Sequence, residues 1–143
     1  MPRSELSVVA LKSGLLLSIL VAASFWSGVM AMAPPFSATC VLLVLLPSAP
    51  FSKPRTVLVS HLLCLGAGVF FLLLPLPPIL LVLCAAWLAL ILMAWLRAVH
   101  APALAHTVIL GLGQQHVTSY VLWAVLIIIS FTLLAYYEVR RTS

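Results

Sequence analysis

The 143-residue chain is 65% hydrophobic and 6% charged, with a formal net charge of +5 and a mean hydropathy of +1.31. A soluble domain carries about a quarter charged residues, so this composition excludes one and specifies an integral membrane protein. The seven basic residues stand singly or in pairs between apolar runs, which excludes a nucleic-acid surface and reads as membrane flanks.

In chain order, four segments are long enough to span: Ser13–Ala33, Thr56–Leu74, Ile79–Leu96 and Val117–Tyr137. Each has about 18 to 21 residues, which matches a hydrocarbon core of about 30 Å at 1.5 Å per residue. Ala31-Met32-Ala33 looks like a signal-peptide cleavage box, but an apolar run of about 20 residues exceeds a signal h-region, so a retained first helix is expected. Two shorter apolar segments, Phe36–Leu46 and Pro102–Gly113, lie between the first and last pairs of spans, and Pro75-Leu76-Pro77-Pro78 divides the chain. Runs that are apolar throughout exclude the alternation of a β-barrel. The expected fold is an all-α polytopic membrane bundle: one transmembrane domain over residues 1–143, in half-repeats of about 13–75 and 78–137.

Charge predicts topology. If both short segments cross, Arg3, Lys12, Lys53, Arg55, Arg97, Arg140 and Arg141 all fall on one side, which satisfies the positive-inside rule. The two halves then run in opposite directions as an inverted repeat, with both termini cytoplasmic in a bacterial inner membrane. The alternative is four spans plus two re-entrant segments, which splits the basic residues four against three.

The short segments match when Pro35 is aligned with Pro102. Ala38 then pairs with Ala105, Val41 with Val108 and Leu43 with Leu110. Paired short, Pro-interrupted segments in corresponding halves point to a binding site. Pro34, Pro35 and Pro102 suit helix starts, where a missing N–H costs nothing. Free N–H groups at two opposed helix starts favour an anion; alternatively, the prolines only end the preceding helices and turn the chain. Ser37, Thr39, His100, His106 and Thr107 lie in or beside these segments, and His61 lies within the second span, where a histidine needs a partner.

Glu5 and Glu138 are the only acidic residues, and both lie near the chain ends. That argues against carboxylate proton relays and cation sites in the membrane and leaves anions or neutral solutes. No G-x-S-x-G or H-E-x-x-H occurs, so no enzyme is expected. Zinc has no suitable ligand spacing, and no metal or other cofactor is expected. Cys40, Cys64 and Cys84 read as small buried hydrophobes. Tyr120, Trp123, Tyr136 and Tyr137 read as interfacial belt residues. Ser24-x-x-x-Gly28, Gly66-x-Gly68 and Ala85-Ala86-x-x-Ala89 read as close-packing faces.

Three further stretches carry a family resemblance. They are Pro35-Phe36-Ser37-Ala38-Thr39, then Lys53-Pro54-Arg55-Thr56-Val57 with His61 following, and Met93-x-x-x-Arg97 leading to His100-Ala101-Pro102-Ala103-Leu104-Ala105. Their order and spacing over about residues 30–141 resemble the HPP family of integral membrane proteins, named for a His-Pro-Pro motif. The resemblance implies a small multi-span bundle, and some plastid members are associated with nitrite transport. Here Ala101 replaces the middle proline, while Ser37 and Leu104 replace glycines. Leu104 is expected to narrow a path there, as in a diverged member with altered or lost activity.

The leading expectation is a transporter or channel-like protein for a small anion, nitrite being the resemblance's suggestion. Ser37, Thr39, His61, His100 and Thr107 would line its path, and Arg55 and Arg97 would draw anions to the mouth. The lipid bilayer is its medium, and a homo-oligomer is expected because so small a bundle leaves little room for a path in one protomer. The rival readings are a non-transporting assembly subunit and a haem- or quinone-binding redox bundle.

Overall fold

Proline sets the start of the second, third and fourth helices, lying within the first two positions of each, where its fixed φ is already helical. A computed structural model describes residues 3–113 and 116–142. Among these residues the α-helices are α1 (Arg3–Trp26), α2 (Ala33–Leu45), α3 (Pro54–Leu72), α4 (Pro78–Trp95), α5 (Ala105–Gly111) and α6 (Val117–Thr142). Single 3-10 turns at Met30–Met32, Pro50–Ser52 and Ala101–Leu104 lead into α2, α3 and α5. No strand occurs among the described residues, and α1, α3, α4 and α6 are long and apolar enough to span a bilayer.

The first span differs most from expectation. It starts at Arg3 rather than Ser13 and stops at Trp26 rather than Ala33. The stop is local. Gly28 takes φ +72, Val29 N–H bonds Ser24 O at 3.1 Å, and Gly28 N–H bonds Phe25 O at 3.1 Å. This pair of bonds is a Schellman ending, which needs a left-handed residue at the position glycine holds. At the other end of the chain, α6 runs past Tyr137 because Arg140 and Arg141 in its last turn suit the negative end of the helix dipole.

Side-chain contacts fix the directions. Lys12 Nζ reaches the buried Glu138 Oε1 at 3.1 Å, tying the first half of α1 to the end of α6. Arg55 Nη1 donates to Leu96 O at 3.3 Å, and Ser52 Oγ donates to Leu42 O at 3.4 Å. The start of α3 therefore meets the ends of α2 and α4. Lys53, Arg55 and Arg97 gather at this basic end of the bundle. The short segments run in opposite directions: α2 toward the basic end, and residues 100–111 away from it, from His100 beside Phe51 to Gly111 beside Leu81.

Close packing holds α5 between α3 and α4. A Cβ on Gly68 would sit 2.6 Å from Leu110 Cδ1, and one on Gly111 would sit 3.0 Å from Leu81 Cδ2 and 3.3 Å from Val82 N. Ala85, Ala89 and Met93 of α4 pack with Cys64 and Ala67 of α3 and with Ala103. Of the three proposed close-packing faces, Gly66 meets open space. Cys40 and Cys64 are buried, but Cys84 faces outward, contrary to expectation, because buried Ala85 and Ala89 set the inner face of α4.

Candidate functional site: a buried histidine chain

Five polar side chains from five elements meet in the bundle core, each with no exposed surface: Thr39, His61, His100, His106 and Tyr120. Thr39 lies mid-way along α2, and His61 two turns into α3. His100 caps the 101–104 turn, His106 opens α5, and Tyr120 stands in the first turn of α6.

The contacts form one chain with a branch at Thr39, whose hydroxyl is also 2.9 Å from Pro35 O. His100 Nδ1 lies 2.8 Å from Phe51 O, and His100 Nε2 lies 3.0 Å from Thr39 Oγ1. Thr39 Oγ1 is also 3.0 Å from His61 Nε2, and His61 Nδ1 is 2.9 Å from His106 Nε2. His106 Nδ1 meets the Tyr120 hydroxyl.

The Phe51 end fixes the direction. A carbonyl only accepts, so His100 Nδ1 donates to it. With each imidazole neutral, His100 Nε2 is then an acceptor, and it shares the single Thr39 hydroxyl proton with Pro35 O, 3.0 and 2.9 Å from Thr39 Oγ1. Thr39 Oγ1 accepts from His61 Nε2–H, His61 Nδ1 accepts from His106 Nε2–H, and His106 Nδ1 accepts from Tyr120 O–H. With the Thr39 proton turned to His100, this assignment leaves no ring nitrogen of the chain unpaired. Buried polar groups need such satisfaction, since each unpaired one costs about 1–3 kcal/mol.

Aromatic packing closes the site on its apolar side. Phe36 stacks on His61 with ring centroids 5.1 Å apart and 16° between planes, and on Phe131 at 5.7 Å and 3°. It also meets the His106 ring edge-on at 5.2 Å.

The expected path residues divide. Thr39, His61 and His100 come together, but Ser37 is half-buried on another face of α2, its hydroxyl bonded back to Pro34 O at 3.0 Å. Thr107 is buried but bonds Leu104 O at 2.8 Å. Arg55 and Arg97 are exposed at the basic end. The helix starts at Pro34-Pro35 and after Pro102 do not oppose one another. Thr39 meets His100 while Phe36 meets His106, so the segments pass side by side in opposite directions. Pro34 and Pro35 lie in the first turn of α2, and Pro102 lies in the 3-10 turn.

Two members of the chain were not among the expected path residues. Tyr120 is no belt residue. Its ring is buried, with its hydroxyl on His106, because the first turn of α6 faces the core there. His106 carried a sequence signal: it stands four residues after Pro102, as Thr39 stands four after Pro35. Both of these equivalent residues bond His61, one at each ring nitrogen.

The chain of side chains supplies donors and acceptors without a fixed charge. Among the described residues no group of three or more His, Cys or acidic side chains is spaced to hold a metal ion. No curated protein and no solved structure matches the chain. The family model for the HPP transmembrane region matches residues 1–139. With its His-Ala-Pro turn feeding His100 and His106 into the core of an all-helical membrane bundle, the chain belongs to the HPP transmembrane family.

Proposed function

We propose that the protein passes a small monovalent anion, nitrite being the first to test, across a bacterial inner membrane without covalent chemistry. The observation that carries this reading is the buried, uncharged histidine–threonine chain joining both short segments through His61. Polar side chains at such depth are costly, which makes them candidates for a solute path. The absence of a carboxylate from this hydrogen-bonded cluster favours an anion over a cation, and Lys53, Arg55 and Arg97 at the basic end would raise the local anion concentration. By the positive-inside rule that end is cytoplasmic, and so are both termini. The opposite directions of α2 and residues 100–111 support an inverted relation of the two halves.

The test is nitrite uptake into proteoliposomes at about pH 8, against empty liposomes. His100→Ala breaks the chain and is expected to lower protein-dependent uptake at least about tenfold. Ser37→Ala, whose hydroxyl serves only its own helix, is expected to leave uptake within about twofold. Uptake equal to empty liposomes for nitrite and other small anions would overturn the reading in favour of a non-transporting partner subunit.

A further inference from the structure

We infer that the cavity between α1 and α6 is a second, outer binding site for the solute, where the Ser24 hydroxyl donates to a small anion that keeps part of its water. This rests on the passage reading and adds to it a residue of α1, a helix that supplies nothing to the histidine chain.

The site starts from a hydroxyl with nothing to bond. A serine within a helix either faces solvent or turns back onto a carbonyl one turn earlier. Ser18 and Ser130 turn back, onto Gly14 O at 2.9 Å and Leu126 O at 3.0 Å. Ser27, just past α1, bonds Ser24 O at 3.0 Å. Ser24 does neither. It is 1% exposed, and its Oγ has no hydrogen-bond partner among the described residues. Burying such a group unpaired is unfavourable unless something else fills the role of partner. Ser24 lines a cavity of about 140 Å³ together with Ser27 and Ser130, and Met32 and Trp123 contribute to its walls.

The position of the cavity suits an entrance. Helix α1 ends where α2 begins, so the cavity lies at the end of the bundle away from Lys53, Arg55 and Arg97. Trp26 and Trp123 are exposed there, and tryptophans near the ends of spans sit at the membrane–water interface. On the inner side, Met32 belongs to the same buried core as Phe36 and Tyr120. The cavity therefore adjoins the packing that holds the Tyr120 end of the histidine chain.

Its chemistry follows from which protons are free. The Ser27 and Ser130 hydroxyl protons are committed to carbonyls, whereas the Ser24 proton is not. The last carbonyls of α1 are occupied as well: Ser24 O accepts from Val29 N–H at 3.1 Å, and Phe25 O accepts from Gly28 N–H at 3.1 Å. No cation lines the cavity, so an anion entering it cannot shed all of its water. A volume of about 140 Å³ matches roughly four or five waters at about 30 Å³ each, and so admits a small anion with a few waters. The spare lone pairs of Ser27 and Ser130 would hold those waters while Ser24 donates to the anion.

Two variants of the full chain in proteoliposomes test this. Ser24→Ala removes the free donor and is expected to raise the half-saturating nitrite concentration at least about fivefold, with the maximal rate within about twofold. Its unfolding midpoint is expected to hold or rise, because the lost hydroxyl bonds nothing in the fold; a lowered midpoint would mark a structural role and overturn the site. Ser24→Cys is expected to react with a membrane-impermeant thiosulfonate above wild type, whose Cys40, Cys64 and Cys84 set the background. Nitrite, at ionic strength balanced with sulfate, is expected to slow that reaction at least about threefold. No reaction above wild type would mean a closed cavity, and reaction that nitrite does not slow would mean a water site only; either overturns the proposal. Wild-type uptake with Ser24→Ala unchanged would overturn the site and leave the passage reading standing. Protection by nitrite without uptake of any anion would uphold the site and overturn the passage reading. Neither protection nor uptake would overturn both.

Discussion

The two short segments begin from similar sequences and end as different structures. From Pro35 the chain continues as part of a 13-residue helix, whereas from Pro102 it makes a 3-10 turn and then a helix of only 7 residues. The buried register is nonetheless shared. Positions four, five and eight after each proline are buried in both: Thr39, Cys40 and Leu43, and His106, Thr107 and Leu110. Spacing of four keeps those side chains on one helical face. The extra 3-10 turn changes what precedes that face, letting His100 reach back to Thr39 while His106 reaches His61. One segment therefore supplies a single hydroxyl, and the other supplies two imidazoles, His100 beside that hydroxyl and His106 on the far side of His61.

His61 is the point at which this comparison can be broken. His61→Ala would strand Thr39 and His106 together and unstack Phe36. Two buried groups left short of a partner, plus a cavity, predict a loss of about 3–5 kcal/mol, read as a lowered unfolding midpoint in detergent. If His61→Ala cost no more than a surface change, the two segments would not be joined through it. Smaller effects sharpen the packing side. Gly111→Ala pushes against Leu81, the Val82 side chain and the Val82 backbone, predicting a loss of about 1–3 kcal/mol. Gly66→Ala meets open space in mid-helix and should stabilise by up to about 1 kcal/mol. Equal responses at the two glycines would contradict the seating of α5 against α4.

Much of this was legible in the sequence, for reasons tied to particular residues. Unbroken apolar runs give the four spans, and Pro54 and Pro78 place two of their starts within two residues of expectation. His61 stands out because a histidine within a span needs a partner, and Thr39 and His100 because they lie in or beside the short segments. The partners themselves were not legible, because they depend on which faces meet. A tyrosine near the start of a span reads as an interfacial anchor until the rotation of α6 is known, and that rotation aims Tyr120 at His106. Ser37 and Thr39 are equally polar and two residues apart, so only the direction of the α2 face decides which one enters the core. The early end of α1 had a local cue in Gly28, yet the apolar run continues past it through Val29, Met30 and Met32.

Gly28 also has a counterpart, which yields the smallest and most discriminating prediction. Helix α4 ends as α1 does: Ala98 N–H bonds Met93 O at 2.8 Å and Arg97 N–H bonds Ala94 O at 3.1 Å, a second Schellman ending. The left-handed position, φ +52, is filled here by Arg97 rather than glycine. A residue with a Cβ is disfavoured there by about 1–2 kcal/mol. The fold thus carries strain beside the turn that delivers His100, in a residue whose charge is suited to draw anions to the basic end. Arg97→Gly should stabilise by about 1 kcal/mol while lowering anion uptake at low salt, and Arg97→Ala should lower uptake equally without the gain. Raising ionic strength should shrink the uptake difference between wild type and both variants, since the effect acts through screened charge. A stability gain with no change in uptake would mean that the strain at Arg97 serves the turn and not the mouth.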